Sequence, residues 1–320
     1  MKKWFKRIGL TIFVLFILLN IITAFHAYKF THFYADAKPI KKPEQMNIGD
    51  KLSAIFFGVN YPKSKVIDSL LIPHSTIKIT TSDSLQLEAW YLQQPKFDSD
   101  VNMHKGTVLM FHGHGSNKSA VIREAEEFYS LGYNVITTDF RAHGNSEGTI
   151  CTIGYNESKD VKAVYDYIQQ KGETNIVLWG ISLAASTITK AIYDYNLQPS
   201  KIILEMPFGS LNNAVEGRVR TMGLPEQPIS TLLCFWGGAE QGFWAFNLNP
   251  YEYAQKITCP TLLQWGVNDA RVTATETEEL FNNLATSNKK WIKYENCGHV
   301  SLCKNENDKW KGAVTSFLEP

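Results

Sequence analysis

Apolar and polar positions alternate along most of this chain with two different periods. Short apolar runs of about five residues are typical of buried strands, and longer amphipathic stretches are typical of helices. Because the two kinds of stretch take turns along the chain, the pattern predicts a mostly parallel sheet with helices on both faces. The predicted strands are 77–81, 85–92, 107–111, 133–140, 176–179, 201–205, 261–265 and 290–294, and the predicted helices are 118–131, 156–170, a stretch from 183 to about 196, 274–284 and 308–318.

The first two predicted strands are separated by a short polar turn, which predicts an antiparallel hairpin at one edge of the sheet. Residues 208–249 interrupt the alternation and are rich in aromatic and aliphatic side chains, Trp236 and Trp244 among them. We interpret them as a cap. The cap is a helical subdomain with its own core, a lid whose apolar underside lines a pocket, or both.

The N-terminus carries a different pattern. Four basic residues within the first seven precede residues 8–28, which contain no Asp, Glu, Lys or Arg. About 20 such residues are enough to cross a bilayer as a helix. We expect residues 1–30 to be a single-pass signal anchor with its basic end in the cytoplasm and the catalytic domain on the non-cytoplasmic side. A cleaved signal peptide is the alternative, but its best cleavage site, residues 35–37, lies too far beyond the apolar core.

Residues 31–75 have mixed polarity and several prolines, including Pro39 and Pro43. We expect a stalk together with a short element that packs on the domain. Within it, residues 48–59 are typical of a small amphipathic helix. The remaining residues, 76–320, then form one domain that contains the cap.

Composition narrows the function. The chain has 320 residues with 32 Lys and Arg against 31 Asp and Glu. This balance gives no reason to expect nucleic acid as a partner. Five cysteines without a C-x-x-C pair argue against a zinc site or a disulfide-rich scaffold.

One stretch carries a recognisable chemical pattern. The predicted strand 176–179 is followed by Gly180, Ile181, Ser182, Leu183 and Ala184, and then by a helix. A strand, a sharp turn with serine and a helix are the context of the G-x-S-x-G nucleophile elbow, here with alanine in the last position. A serine that merely caps the helix is the alternative.

Further candidates follow three other predicted strands. After 107–111 comes the loop His112-Gly113-His114-Gly115, whose backbone N–H groups can stabilise an oxyanion. The H-x-H spacing makes metal binding an alternative role for this loop, but no H-x-H-x-D string accompanies it.

A serine nucleophile needs a histidine base, and the histidine needs a carboxylate that fixes its tautomer. Asp269 follows strand 261–265 and is the candidate acid, with Glu205 as the second choice. His299 follows the last strand and is the candidate base.

The order Ser182, Asp269, His299 and the run 139–146, Asp-Phe-Arg-Ala-His-Gly-Asn-Ser, resemble the α/β-hydrolase superfamily over about residues 77–318. The resemblance is to serine hydrolases of the monoacylglycerol-lipase-like and serine-aminopeptidase-like groups. It implies the α/β-hydrolase fold, a cap at about 208–249, and oxyanion donors at the backbone N–H groups of His114 and Leu183. It also implies that the run 139–146, with Ala142 in place of glycine, is structural and not catalytic.

These observations predict a membrane-anchored serine hydrolase of carboxylic esters, with a small or lipid-like acyl substrate and with no cofactor or metal required. Amide hydrolysis and acyl transfer use the same acyl-enzyme and stay open, as does a catalytically silent binding module. Cys297 and Cys303 flank His299, and they are either a disulfide that braces its loop or two unpaired thiols.

Overall fold

The computed structural model of the chain describes residues 2–38, 41, 45–95 and 104–319. Its strands are β1 (Phe33–Tyr34), β2 (Tyr61–Pro62), β3 (Ser75–Thr80), β4 (Gln86–Leu92), β5 (Thr107–Phe111), β6 (Asn134–Thr138), β7 (Ile176–Ile181), β8 (Lys201–Glu205), β9 (Thr261–Gly266) and β10 (Lys289–Tyr294). Its helices are α1 (Lys2–Thr31), α2 (Ile48–Phe57), α3 (Ile122–Ser130), α4 (Glu157–Gln169), α5 (Leu183–Tyr195), α6 (Leu211–Met222), α7 (Ile229–Gln241), α8 (Pro250–Tyr253), α9 (Ala274–Asn283), α10 (Leu302–Asn305) and α11 (Asn307–Leu318).

Within the described residues, eight strands form one sheet in the order β10-β9-β8-β7-β5-β6-β4-β3. The strands from β6 to β10 in this order pair in parallel, and β4 pairs antiparallel with both β3 and β6. Every residue of β5, β6 and β9 is buried, as expected for strands covered on both faces. The predicted fold class is confirmed, including the antiparallel hairpin at the edge.

The sheet brings the candidate residues together. β5, β7, β9 and β10 run in the same direction, so the loops that follow them meet at one edge, where ligands bind in open parallel sheets. The predicted strand 133–140 ends earlier, at Thr138, because the carboxylate of Asp139 accepts hydrogen bonds from Lys118 and from the Asn145 N–H and turns the chain.

The predicted cap lies between β8 and β9 and consists mainly of α6 and α7. Ser210 caps α6 by accepting from the Asn213 N–H at 3.1 Å. Gly217 lets this helix approach the body closely, since a Cβ there would lie 2.3 Å from the Arg271 carbonyl oxygen.

Helix α1 is long and apolar enough to cross a membrane by length and composition. Its first half is exposed, and its second half packs on α7 and contacts α2. The indole of Trp236 in α7 donates to Asn20 at 3.1 Å, and the His26 ring bonds the Ile55 carbonyl oxygen of α2 at 2.8 Å. The C-terminal half of α1 is therefore fixed to the rest of the molecule.

The segment after α1 also packs on the body. β1 and β2 pair in parallel, and the Asn117 side chain donates to the Lys65 carbonyl oxygen at 3.0 Å. The expected amphipathic helix is present as α2, with a capping box formed by Asn47 and Asp50. Pro39 and Pro43 of the predicted stalk lie outside the described residues, and the boundaries 1–30, 31–75 and 76–320 stay a prediction.

Candidate active site

Ser182 lies in a sharp turn between β7 and α5. Its backbone φ is 56° and its ψ is −117°, a conformation that a residue with a side chain rarely adopts. The turn needs glycine two positions earlier, because a Cβ on Gly180 would lie 2.8 Å from the Ala184 carbonyl carbon and from Ile188. Ala184 is fully buried, so a small residue fits where the usual motif has glycine. This geometry is that of a nucleophile elbow.

Hydrogen bonds join the three residues that the chain order singled out. The Ser182 Oγ lies 2.8 Å from the His299 Nε2, and the His299 Nδ1 lies 2.7 Å from the Asp269 Oδ2. The Asp269 side chain is fully buried, and the His299 side chain is 14% exposed. The three residues thus have the geometry in which a carboxylate fixes the tautomer of a histidine that faces a serine.

The acid is held by the backbone that follows it. The Asp269 Oδ1 accepts from the Arg271 N–H at 2.8 Å and from the Val272 N–H at 3.0 Å, which leaves Oδ2 for the histidine. The two loops approach closely at Gly266, where a Cβ would lie 2.5 Å from the Cys297 carbonyl oxygen. Asp269 and His299 are therefore oriented by main-chain contacts of neighbouring strand ends.

Glu205, the second choice for the acid, does not contact His299. Its Oε1 accepts from the indole N–H groups of Trp310 at 2.6 Å and Trp179 at 2.9 Å. Burial raises the pKa of its carboxyl to about 8. Glu205 is thus a buried structural residue that binds tryptophans across the core.

The glycine-rich loop after β5 lies beside the serine. A Cβ on Gly113 would be 3.6 Å from the Ser182 Cβ. His114 and Leu183, the two predicted oxyanion donors, line a small cavity of about 50 Å³ together with Ser182 and His299. The structure therefore brings both donor residues to the candidate nucleophile.

Two buried histidines hold this loop. The His143 Nε2 accepts from the Gly115 N–H at 3.0 Å, and the His112 Nε2 accepts from the Phe140 N–H at 3.1 Å. Burial lowers the pKa of His112 to about 4 and that of His143 to about 3, so both rings are neutral at pH 7.

These bonds also bear on the metal alternative. The His112 Nε2 accepts from the Phe140 N–H, and its Nδ1 bonds the Gly113 carbonyl oxygen. Both ring nitrogens are therefore occupied and cannot bind an ion. The part of the chain that the structure describes contains no group of three or more His, Cys, Asp or Glu residues that could hold a metal.

The run 139–146 surrounds this arrangement. Asp139 binds the buried Lys118 ammonium at 2.5 Å, and Arg141 binds Asp160 at 2.6 Å. Ala142 has a φ of 64°, in the left-handed region that explains why the related pattern has glycine at this position. The run also holds the loop that carries His114, because His143 accepts the hydrogen bond from the Gly115 N–H.

A large cavity of about 700 Å³ adjoins the small one. Its lining comes mainly from α1, α2, α6 and α7. Six residues line both cavities: Phe30, His114, Ile153, Val215, Arg218 and Arg271. Because the cap helices α6 and α7 line this cavity, the arrangement agrees with the interpretation of the cap as a lid with an apolar underside.

Sequence reasoning missed the part that α1 plays here. The Phe30 ring stacks on the His114 imidazole with 5.1 Å between centroids, and the Phe33 ring lies 4.5 Å from that of His143. Residues 8–28 contain no Asp, Glu, Lys or Arg, so their composition indicates a membrane span and does not predict which face of the helix contacts the domain.

The five cysteines are unpaired thiols. Cys297 and Cys303 do not form the disulfide that their spacing allowed, and both are buried. Burial raises the pKa of Cys297 to about 11 and that of Cys303 to about 12, so both are neutral thiols at pH 7.

Comparison with known proteins agrees with the fold. Residues 102–232 match the profile of the serine aminopeptidase S33 family. The chain is similar to the protein YqkD of Bacillus subtilis, with 24% identity over 67% of this chain and 71% of that protein. It is also similar to the lysophosphatidylserine lipase ABHD12 of Danio rerio, with 24% identity over 68% of this chain and 58% of that protein. The chain thus spans little more than half the length of that lipase.

Among solved structures, the esterase Pf2001 of Pyrococcus furiosus superimposes with a TM-score of 0.65 and 24% identity, over 80% of this chain and 96% of the esterase. Together, the sheet order and this superposition show that the chain has the α/β-hydrolase fold, and the proteins it is similar to include an esterase and a lipase.

Proposed function

We propose that this protein hydrolyses carboxylic esters through an acyl-enzyme formed on Ser182. The Ser182 Oγ attacks the acyl carbon while His299 takes its proton at Nε2 and then gives it to the leaving alkoxide. Water then attacks the acyl-enzyme with His299 again as base. Asp269 orients the ring, and the backbone N–H groups of His114 and Leu183 stabilise the oxyanion.

One observation carries this proposal: the two hydrogen bonds of 2.8 and 2.7 Å that link Ser182, His299 and Asp269 in series. The strained backbone at Ser182 supports it, because strain of this kind exposes the nucleophile of the elbow.

The test is hydrolysis of p-nitrophenyl butyrate by the full chain. We expect Ser182→Ala to lower kcat/KM by at least about 1000-fold. Ser186→Ala is the matched control, since Ser186 lies in α5, directly after the turn, and its hydroxyl donates to the Phe208 carbonyl oxygen at 3.1 Å. Full activity in Ser182→Ala would refute the proposal.

Within the esters, we propose a single-chain anionic phospholipid as the substrate. The relatives named lysophosphatidylserine lipases motivate this choice. Arg218 and Arg271 line both cavities and provide positive charge near Ser182.

We expect Arg218→Gln to raise KM for lysophosphatidylserine more than for a neutral monoacylglycerol. Equal changes in both values of KM would argue against an anionic head group.

Amide hydrolysis is the second candidate, because the profile that matches residues 102–232 is named for serine aminopeptidases. Aminoacyl nitroanilides assayed beside p-nitrophenyl esters separate the two activities. Acyl transfer uses the same acyl-enzyme, and product analysis with competing alcohols detects it.

We further propose that α1 anchors the protein as a single-pass helix with the catalytic domain on the non-cytoplasmic side. The basic residues before the apolar segment support this orientation. Protease added to intact cells should cleave a C-terminal tag. Without protease, the tagged protein should remain with the membranes after alkaline carbonate washing. Protection of the tag would reverse the orientation, and release by washing would exclude the anchor.

A further inference from the structure

The C-terminal half of α1 is one wall of the large cavity. Leu19, Ile22, His26 and Phe30 line it from α1, and Leu233 lines it from the cap helix α7. A segment that served only as a tether would not need to form such a wall. The cavity is therefore incomplete without the helix that is proposed to cross the membrane.

This cavity leads to the candidate nucleophile. Phe30 lies at its inner end, where its ring stacks on His114, and both residues also line the small cavity with Ser182. An acyl chain in the large cavity would thus have its ester end at Ser182.

The depth of the wall follows from the length of the helix. A helix rises about 1.5 Å per residue, so a span that starts after Arg7 reaches about 30 Å, the thickness of the hydrocarbon core, near Tyr28. The lining residues from Leu19 onward then lie at the depth of the lipid acyl chains in one leaflet. Phe30 lies just beyond, at the level of the head groups.

The outer surface around the cavity is apolar as well. Helix α2 lines the cavity with Ala54 and Ile55, and its other side exposes Ile48 by 79% and Phe56 by 73%. In the cap, Trp244 is 57% exposed. Large apolar side chains that are exposed beside a helix proposed to cross the membrane are typical of contact with lipid.

We propose that the large cavity binds the acyl chain of a single-chain ester that enters from the bilayer between α1, α2 and the cap. This inference rests on the proposed function and names where its substrate enters and binds. The occupant is a lipid of the membrane in which α1 is embedded, and α1 serves as a wall of the binding site.

A photoreactive inhibitor tests this on the full chain in lipid nanodiscs. The probe is a fluorophosphonate on a dodecyl chain with a terminal diazirine. After the phosphonate has reacted, illumination crosslinks whatever lies at the end of the chain, and mass spectrometry of tryptic peptides locates both attachments. We expect the phosphonate on Ser182 and the crosslink within residues 8–29 or in α7.

The outcomes separate the two proposals. A phosphonate on Ser182 with a crosslink confined to other parts of the domain overturns the membrane-side cavity and leaves the hydrolase intact. Lack of any phosphonate on Ser182 means that the proposed function fails, and the inference fails with it.

Variants give a second readout. Ile22→Trp fills the cavity and should lower kcat/KM for p-nitrophenyl laurate by at least about tenfold, because each buried methylene contributes about 0.8 kcal/mol to binding. The loss should be larger for the laurate than for p-nitrophenyl butyrate, and circular dichroism checks that the variant is folded. Leu18→Trp is the matched control, since Leu18 lies one turn earlier and lines neither cavity. Unchanged laurate hydrolysis in Ile22→Trp would contradict the proposal.

Discussion

At the scale of single residues, Asp269 and Glu205 show how surroundings decide between two similar side chains. Both are acids at the carboxyl ends of neighbouring strands, and from the sequence either was able to serve the triad. Asp269 receives two backbone N–H groups and faces His299, whereas Glu205 faces two indoles in the core. The choice depends on the direction of side chains, which the order of elements does not specify.

Asp269→Asn tests the role of the acid. The amide keeps the shape of the site but favours the wrong tautomer of His299, so we expect kcat for p-nitrophenyl butyrate to fall about 1000- to 10,000-fold. Glu205→Gln is the control and should leave kcat nearly unchanged. Equal losses in the two variants would contradict the assignment.

Glu205 should also make stability depend on pH. Its pKa is about 8 in the folded protein against an ordinary value of 4.5. The protonated form of Glu205 therefore stabilises the folded protein fully below about pH 4.5, and this stabilisation is lost as the pH rises through about 8. Between these values the unfolding free energy falls by about 1.4 kcal/mol per pH unit. We expect Glu205→Gln to reduce the fall in Tm between pH 5.5 and 8.5, measured by tryptophan fluorescence. An identical fall in both proteins would refute this.

At the scale of elements, the sequence pattern predicted most strands and helices within a few residues. It succeeded because buried parallel strands are continuous apolar runs and the helices between them are amphipathic. It predicted less about α1, since the contact of Phe30 with His114 joins positions far apart in the chain. Local periodicity carries no information about such a contact.

The cap offers a test of element packing. Gly217 of α6 lies against the Arg271 carbonyl oxygen, directly after the acid, and a Cβ there would be 2.3 Å away. Gly217→Ala should lower the unfolding free energy by about 1–3 kcal/mol and reduce kcat, because α6 must move away from the Asp269 loop. Gly312→Ala in α11, where a Cβ meets nothing within 4 Å, should raise stability by up to about 1 kcal/mol. A stabilising Gly217→Ala would contradict this packing.

At the scale of the whole molecule, three loops far apart in the chain meet at one edge of one sheet. The sequence allowed this to be predicted, because parallel strands place their carboxyl ends together and the order of Ser182, Asp269 and His299 is typical of the fold. The joint cavity of α1, α2 and the cap was not predictable in the same way. It depends on how separate units pack on each other, and only the structure specifies this.

Labelling of the full chain with a fluorophosphonate, followed by peptide mass spectrometry, tests most directly whether Ser182 is the nucleophile. We expect one phosphonate per molecule, attached to Ser182, and labelling slowed about 100-fold or more in His299→Ala. A chain that does not react, or that reacts at another residue while Ser182 stays unmodified, would contradict this expectation.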